Sequence, residues 1–326
     1  MTIKYADLKV GYDCNNDCVH CVISDQRKRS IDIRGNTNRT TNECYKEILS
    51  AKKNGCTSIT ITGGEPTIRS DFKDIVKFAK KEDFEVTLQS NGRKFSNQTF
   101  LDDVKDYIDF YMIALCGPNE EIHEKITQRK NSFDEVILAL KNLVKIDVEI
   151  GVKIVISKHN SNDLLNIIKL AKDIGIKYCN IAFPHANGNA LKYFDNIVPY
   201  YKDIKNEFLK CIQFADKEKF SLDFEAILPC ALDVEFKNKY FADLKISNNN
   251  GELRQLDEGL QDWNKVRKLS KRKGAICSKC IYNIFCEGYW KEYVEKRGFD
   301  EFKAITKYPE EVRVLLLEKI RGWKKE

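Results

Sequence analysis

The first two thirds of the chain alternates two periodicities. Short β-branched or aromatic runs read as strands: "LKVGYD" (8–13), "TSITITGG" (57–64), "EVTLQSNG" (85–92), "DFYMIALCG" (109–117), "EIGVKIVIS" (149–157) and "KYCNIAFP" (177–184). Most of them stop at Gly, Ser or Pro. Between them, apolar residues recur at helical spacing. Ser70 is placed to cap a helix whose core face is Phe72, Ile75, Val76 and Ala79. Ser132 and Glu135 form a capping-box pattern ahead of Val136, Ile137, Leu140 and Val144. Leu164, Ile167, Ile168 and Ala171 line a third helix, which Gly175 stops. Repetition of strand then helix predicts parallel strands with crossover helices. Periodicity alone leaves two architectures open, a doubly wound sheet or a full or partial β/α barrel. Both place chemistry beyond the C-terminal ends of the strands.

From about residue 216 the alternation stops. Pro229, the asparagine run 248–250 and the charged stretch "KLSKRKG" surround a cysteine-rich segment. Residues 216–326 therefore read as a smaller, less regular domain following a domain of 1–215. A final helix, 309–324, puts Val312, Leu315, Leu316 and Ile320 on one face, expected to pack against the first domain.

Composition narrows the class. Of 326 residues, 42% are hydrophobic and 32% charged, as in a globular protein with a core. The net charge of +6 comes from 55 basic and 49 acidic side chains that are interspersed, too mild a bias to argue for nucleic acid. No run has the length of a membrane helix, and the N-terminus lacks a signal-peptide core, so a cytoplasmic protein is expected. Twelve cysteines in a reducing compartment point to metal ligands or reactive thiols rather than disulfides. Cys44, Cys56, Cys116, Cys179 and Cys211 are scattered, and each reads by default as a buried inert thiol.

The others are patterned. "CNNDCVHC" places Cys14, Cys18 and Cys21 just after the first strand. Three thiolates in such a loop can hold a 4Fe–4S cluster and leave one iron open. Zinc would want a fourth ligand, and His20, adjacent to Cys21, would make an awkward chelate. "GGEP" (63–66) follows the second strand, "SNG" (90–92) ends the third, and "GPNEEIHEKIT" with "NSF" (117–133) follows the fourth. In this order and at these strand ends, the chain resembles the radical S-adenosylmethionine (SAM) superfamily.

The resemblance implies a partial (β/α)6 TIM-like barrel with a smaller C-terminal cysteine-rich domain. It implies SAM on the open iron, an electron from a donor such as flavodoxin or ferredoxin, and reductive cleavage to a 5′-deoxyadenosyl radical. That radical abstracts hydrogen from an unactivated carbon. By position, Cys14, Cys18 and Cys21 ligate the cluster and His20 lies near the adenine. Gly63 and Gly64 let the backbone approach SAM, Glu65, followed by Pro66, offers its carboxylate to the ammonium, and Ser90 and Asn91 sit at the ribose. Without the cysteines, the same residues would read as a turn with a surface glutamate and a turn-forming asparagine. One departure stands out: relatives often carry S-x-D-G where this chain has Ala114, Leu115, Cys116 and Gly117. The absent serine leaves the SAM carboxylate without a partner, for which Lys153 is a candidate. Cys116 in place of the aspartate is a candidate hydrogen-atom donor, against the plainer reading of a small buried residue.

"CSKCIYNIFC" supplies Cys277, Cys280 and Cys286 and resembles the C-terminal regions called SPASM and twitch. A SPASM region would continue with another cysteine where Trp290 stands. Cys230 is expected to complete one auxiliary 4Fe–4S cluster, with Cys211 as the alternative fourth ligand and a zinc knuckle as the competing reading. The segment 24–42, carrying Arg27, Lys28, Arg29, Arg34 and Arg39, reads as a solvated loop or as a cover over the substrate mouth. The resemblance implies a peptide substrate and a peptide maturase. The alternative is a small molecule such as a sugar or cofactor precursor. A non-catalytic iron–sulfur or zinc protein that binds nucleic acid or senses is the reading from another class, and "GGEP" argues against it. Because the barrel begins almost at residue 1, no room is expected for an N-terminal peptide-recognition domain, which leaves a separate partner protein to supply recognition or a small substrate.

Overall fold

The computed structural model describes residues 4–232, 250–255, 259–283 and 286–307. The expected helix 309–324 lies outside them. Nine strands form the main sheet: β1 (Lys4–Lys9), β2 (Ser58–Thr62), β3 (Glu85–Ser90), β4 (Phe110–Ala114), β5 (Glu149–Val155), β6 (Tyr178–Ala182), β7 (Ser221–Glu225), β8 (Asn250–Gln255) and β9 (Gly259–Asp262). Their order is β7-β6-β5-β4-β3-β2-β1-β8-β9. Pairing is parallel from β1 through β7 and between β1 and β8; β9 returns antiparallel on β8.

This order decides between the two architectures. A doubly wound sheet reverses direction at a switch point, whereas here each crossover from β1 to β7 moves the same way. Right-handed crossovers that never reverse put every helix on one face, which gives an arc of a β/α barrel. Burial follows the two-residue period. Ala6, Leu8, Ile59, Ile61, Val86, Leu88, Val152 and Ile154 are fully or almost fully buried under the helices. Each such Leu or Ile contributes roughly 1.5–3 kcal/mol by leaving water. The alternate positions make a polar inner face, where Asp7 pairs with Lys9 and Lys153 bonds Asn180.

Several local expectations change. The range 216–326 does not stand apart from the sheet, since β7 extends it beyond β6 and β8 with β9 extends it beyond β1. The segment 24–42 is not all loop: Ser24–Arg34 is a helix. Its apolar residues Ile31 and Ile33 point outward, 50% and 61% exposed, so no amphipathic pattern announced it. Nor are its arginines simply solvated. Arg39 is buried, donating to Lys9 O and Gln255 O, and so ties the ends of β1 and β8 together. Arg34 pairs with Glu43 at 2.8 Å and Arg27 with Asp13 at 3.2 Å.

The helix Phe72–Lys81 starts after Asp71 rather than Ser70, with the expected core face. The expected capping box at Ser132 is absent, because Ser132 is already the first residue of the helix Ser132–Leu143. Its hydroxyl donates to Arg129 O, and Glu135 pairs with Arg93 instead. A reciprocal capping box does form at Thr40 and Glu43, ahead of the helix Thr41–Lys53.

Candidate active site

Beyond β1 the chain runs extended through Val10–Asp13 into the first cysteine, and the loop after β2 lies along it. Gly64 N donates to Gly11 O at 2.8 Å, and Glu65 N to Asp13 O at 2.7 Å. This explains both glycines. A Cβ on Gly63 (φ +141°) would sit 2.1 Å from Gly11 O, and one on Gly64 would sit 2.2 Å from Asp13 O. The close approach that they permit is between these two backbone segments.

Glu65 is buried, and its carboxylate faces inward. One oxygen accepts from Thr67 N (3.1 Å), Thr67 Oγ1 (2.5 Å) and Ser90 Oγ (2.8 Å); the other accepts from Asn91 N (2.7 Å). Burial raises its pKa, opposed by those hydrogen bonds. The side chain thus joins the end of β2 to the end of β3, and Pro66 opens a short 3-10 turn beside it. In this arrangement the carboxylate is held by four hydrogen bonds within the chain.

The cysteine loop is held from both sides. On one side, Asn91 Nδ2 donates to Asn15 Oδ1 at 2.7 Å, and Arg93 Nη1 donates to Asn15 O at 2.7 Å and Asn16 Oδ1 at 2.9 Å. Ser90 Oγ accepts from Gly92 N, which fixes the turn that carries Asn91. On the other side, Asp17 N and Val19 N donate to Thr127 O and Ile126 O at the end of the helix Glu120–Thr127. A segment after β6 completes the grip: Asn189 donates from its side chain to Cys18 O (3.0 Å) and from its backbone to Cys21 O (2.9 Å). Gly188, at φ +54°, lets that backbone in, since a Cβ there would lie 2.5 Å from Cys21 O. Sequence reading missed Arg93 and Asn189. Neither sits in a motif, and both act over long sequence separations.

Cys14, Cys18 and Cys21 are free, partly exposed thiols in this loop. Burial pushes the Cys14 thiol up to about 11 and raises Cys18 and Cys21, and Cys18 is raised further by Cys116, Cys21 and Cys14. Cys116 therefore lies close to the cysteine loop. It is buried, but it is not part of the main apolar core cluster. Its own thiol is pushed up to about 12 by burial. His20 is also buried, and its Nδ1 has no hydrogen-bond partner. Burial, then the nearby His159, lowers its pKa to about 4, so the cysteine loop buries a ring with an unpaired nitrogen. Lys153, on the inner face, is bound to Asn180 Oδ1 at 2.6 Å and paired with Glu225.

The C-terminal cysteines gather at a second place. Cys230, Cys277, Cys280 and Cys286 line one cavity together with Tyr289 and Lys273. Burial pushes Cys230 up to about 12 and Cys286 up to about 11. Cys211 is elsewhere, fully buried on the helix Tyr201–Glu218 and near Cys179. Trp290 is buried and stacks on His185 at 4.0 Å. Among the described residues, no three His, Cys, Asp or Glu side chains close on a single metal ion. Three soft thiols in one loop, and four around one cavity, suit iron–sulfur clusters by donor chemistry.

The helix that straps this loop carries its own pH sensitivity. Cys116 N donates to His123 Nδ1 at 3.3 Å, and burial, then Arg93, lowers the His123 pKa to about 4. The unfolded chain then binds a proton between about pH 6.5 and 4 that the folded chain refuses. Stability is expected to fall by about 1–3 kcal/mol as pH drops through that window. Urea midpoints at pH 7 and pH 5 check this. H123Q, whose amide oxygen can still accept from Cys116 N, is expected to lose part of the pH 5 deficit.

A sequence profile of the radical SAM superfamily matches residues 8–171, 164 of the 326 residues. Mycofactocin maturase MftC of Mycolicibacterium smegmatis is 29% identical over 169 residues, which are 51% of this chain and 41% of that protein. The chain thus spans about two fifths of the length of that curated relative. A probable GTP 3′,8-cyclase of Methanocaldococcus jannaschii is 25% identical over 240 residues, 72% of this chain and 76% of its own. Among solved structures, Streptococcus suis SuiB bound to precursor peptide SuiA superposes with a TM-score of 0.64 at 13% identity, covering 94% of this chain and 75% of its own. Native anSMEcpe with bound AdoMet gives 0.62 at 14% identity, covering 93% of each chain. Those two likenesses bear on the fold, which is the same barrel arc. With a three-cysteine loop at the mouth of that arc and the profile spanning the strands that build it, the chain belongs to the radical SAM superfamily, whose members hold SAM on a three-thiolate 4Fe–4S cluster.

Proposed function

We propose that this chain is a radical SAM peptide maturase with one auxiliary 4Fe–4S cluster. The observation that carries the radical SAM chemistry is the cysteine loop, clamped by Asn91 and Arg93 on one side and Asn189 on the other, at the C-terminal ends of the strands. The peptide reading leans on the maturase relative, and the four thiols around the second cavity support the auxiliary cluster.

When bound, the first cluster would pass an electron to SAM, whose C–S bond would break to give methionine and a 5′-deoxyadenosyl radical. The protein's part is placement. Cys14, Cys18 and Cys21 hold the cluster, and the clamps keep their loop from shifting. His20 offers its unpaired Nδ1 to the adenine. Lys153 can exchange Glu225 for the SAM carboxylate, which takes the place of the absent serine contact. The polar inner face then receives a substrate between the two thiol sites.

No helix among the described residues is long and apolar enough to cross a membrane. Free thiols at both sites suit a reducing cytoplasm, where flavodoxin or ferredoxin can donate the electron. The cyclase relative favours a second reading, a small-molecule substrate such as a nucleotide.

The test is anaerobic reconstitution followed by reduction with SAM present. About eight irons per chain and release of 5′-deoxyadenosine are expected. A mass change in a co-encoded short peptide, but not in purine nucleotides, supports the maturase reading; the reverse outcome supports the second one. Absence of SAM cleavage from iron-replete protein overturns both.

Cys116 is the proposed hydrogen-atom donor to a substrate radical, and the thiyl radical left behind is returned to the thiol by one electron from the flavodoxin or ferredoxin and a solvent proton. Cys116→Ser changes almost no volume, so it is expected to keep both clusters and SAM cleavage while losing native product. Deuterium incorporation from solvent at the product carbon reads this directly. Native product at the native rate makes Cys116 a plain buried thiol.

A further inference from the structure

The cavity that gathers the C-terminal thiols contains one side-chain contact that ligation alone leaves unexplained. Tyr289 Oη stands 3.1 Å from Cys230 Sγ. The phenol is buried and its direction is fixed. Its ring stacks on Phe302 at 3.8 Å and meets Tyr201 edge-on at 5.1 Å. Tyr201 is fixed in turn by donating to Ala226 O at 2.7 Å. The hydroxyl cannot turn away from the sulfur without unpacking this ring set.

Cys230 also differs from its three companions in origin. They come from the segment 277–286, while Cys230 sits on the short helix Pro229–Leu232. Cys286 Sγ accepts from a backbone donor, Gly288 N at 3.3 Å, which no side-chain substitution removes. The bond at Cys230 comes from a side chain and depends on one oxygen atom.

We propose that Tyr289 is a positioning residue for the auxiliary centre: its hydroxyl donates a hydrogen bond to the Cys230 sulfur, holds that distant ligand in place, and raises the centre's reduction potential. The inference rests on reading the four thiols as an auxiliary 4Fe–4S site. A metal-bound thiolate sulfur can only accept, so the phenol O–H is the donor. One-electron reduction of a cluster adds a negative charge that its sulfurs share. A donor aimed at one of them stabilises the reduced form more than the oxidised form. Apolar surroundings such as those given by Phe302 and Leu228 strengthen that preference.

The experiment uses the full chain carrying C14A/C18A/C21A, so that the auxiliary cluster is read alone. Its midpoint potential is measured by potentiometric titration followed by electron paramagnetic resonance. Y289F keeps the ring and its stacking and removes only the oxygen; its potential is expected to be more negative than the parent's. Site-specific 2,3-difluorotyrosine at 289 makes a stronger donor and is expected to shift the potential the other way. It also serves where Y289F folds poorly. A loss of iron from folded Y289F supports the ligand-holding role. A parent without iron overturns the auxiliary-site reading itself. A parent with about four irons, whose potential neither replacement moves, overturns the role of Tyr289 and leaves the site standing.

Discussion

A chain carrying C14A, C18A and C21A together is expected to release no 5′-deoxyadenosine from SAM under reducing conditions and to retain about half of its iron. The effect is a loss of function rather than a reduction, because no other thiol can take over. Cys116 lies near Cys18, but it belongs to the end of β4 and is strapped there by His123 and Asn160. The remaining iron is assigned to Cys230, Cys277, Cys280 and Cys286, which line a separate cavity. Fold should survive, since the clamps on the loop run through Asn15 O, Asn16 and the backbone carbonyls of residues 18 and 21, not through the sulfurs. Iron analysis and product chromatography on the same sample check both halves. Iron falling to zero would mean that the second thiol group holds none.

Glu65→Ala is the other change with a large expected effect, and it separates two roles for one side chain. The carboxylate takes four hydrogen bonds, two of them from backbone amides of Thr67 and Asn91 that have nowhere else to turn. Each buried donor left unpaired costs about 1–3 kcal/mol, so a total on the order of 4 kcal/mol is expected after the hydroxyls rotate. The ends of β2 and β3 then come apart, and SAM affinity falls with them. Glu65→Gln keeps one acceptor oxygen and should fall between alanine and wild type. Urea midpoints and SAM titrations on the same variants decide the role. If E65A is as stable as wild type and only SAM affinity drops, the carboxylate is a ligand for the ammonium after all.

The parts of the site that were legible in the sequence are those with chemistry packed into a short stretch. Three cysteines in eight residues, a Gly–Gly–Glu after a strand and a second cysteine cluster announce themselves. The strand–helix alternation was also plain, because helix faces such as Phe72, Ile75, Val76 and Ala79 bury a continuous apolar stripe. What escaped was polar structure made at long range. Arg39 looked like one charge in a solvated loop, yet it donates to Gln255 O, more than two hundred residues away. The glycines of residues 63 and 64 were legible as close approaches, but only coordinates show that the approaching atoms are Gly11 O and Asp13 O. Ser132 matched a capping pattern, while Asn131 in the left-handed region at φ +64° started the helix one residue earlier. Local pattern cannot weigh such a choice against the pull of Arg93 on Glu135.

The segment Phe183–Asn189 runs from the ring set that packs on Tyr289 to the first cysteine loop. At one end Phe183 stacks on Tyr201 at 3.8 Å, within the ring set that includes Tyr289; at the other, Asn189 grips the carbonyls of Cys18 and Cys21. Six Cα steps separate those ends, a span of at most roughly 20 Å. Tunnelling probability decays exponentially with the width of the gap, so small excursions would make the rate of any electron passage erratic. A tether this short, anchored at both ends, works as a spacer gauge. The interval between the ring set and the first cysteine loop is bounded by covalent length and not by the thermal wandering of separate bodies.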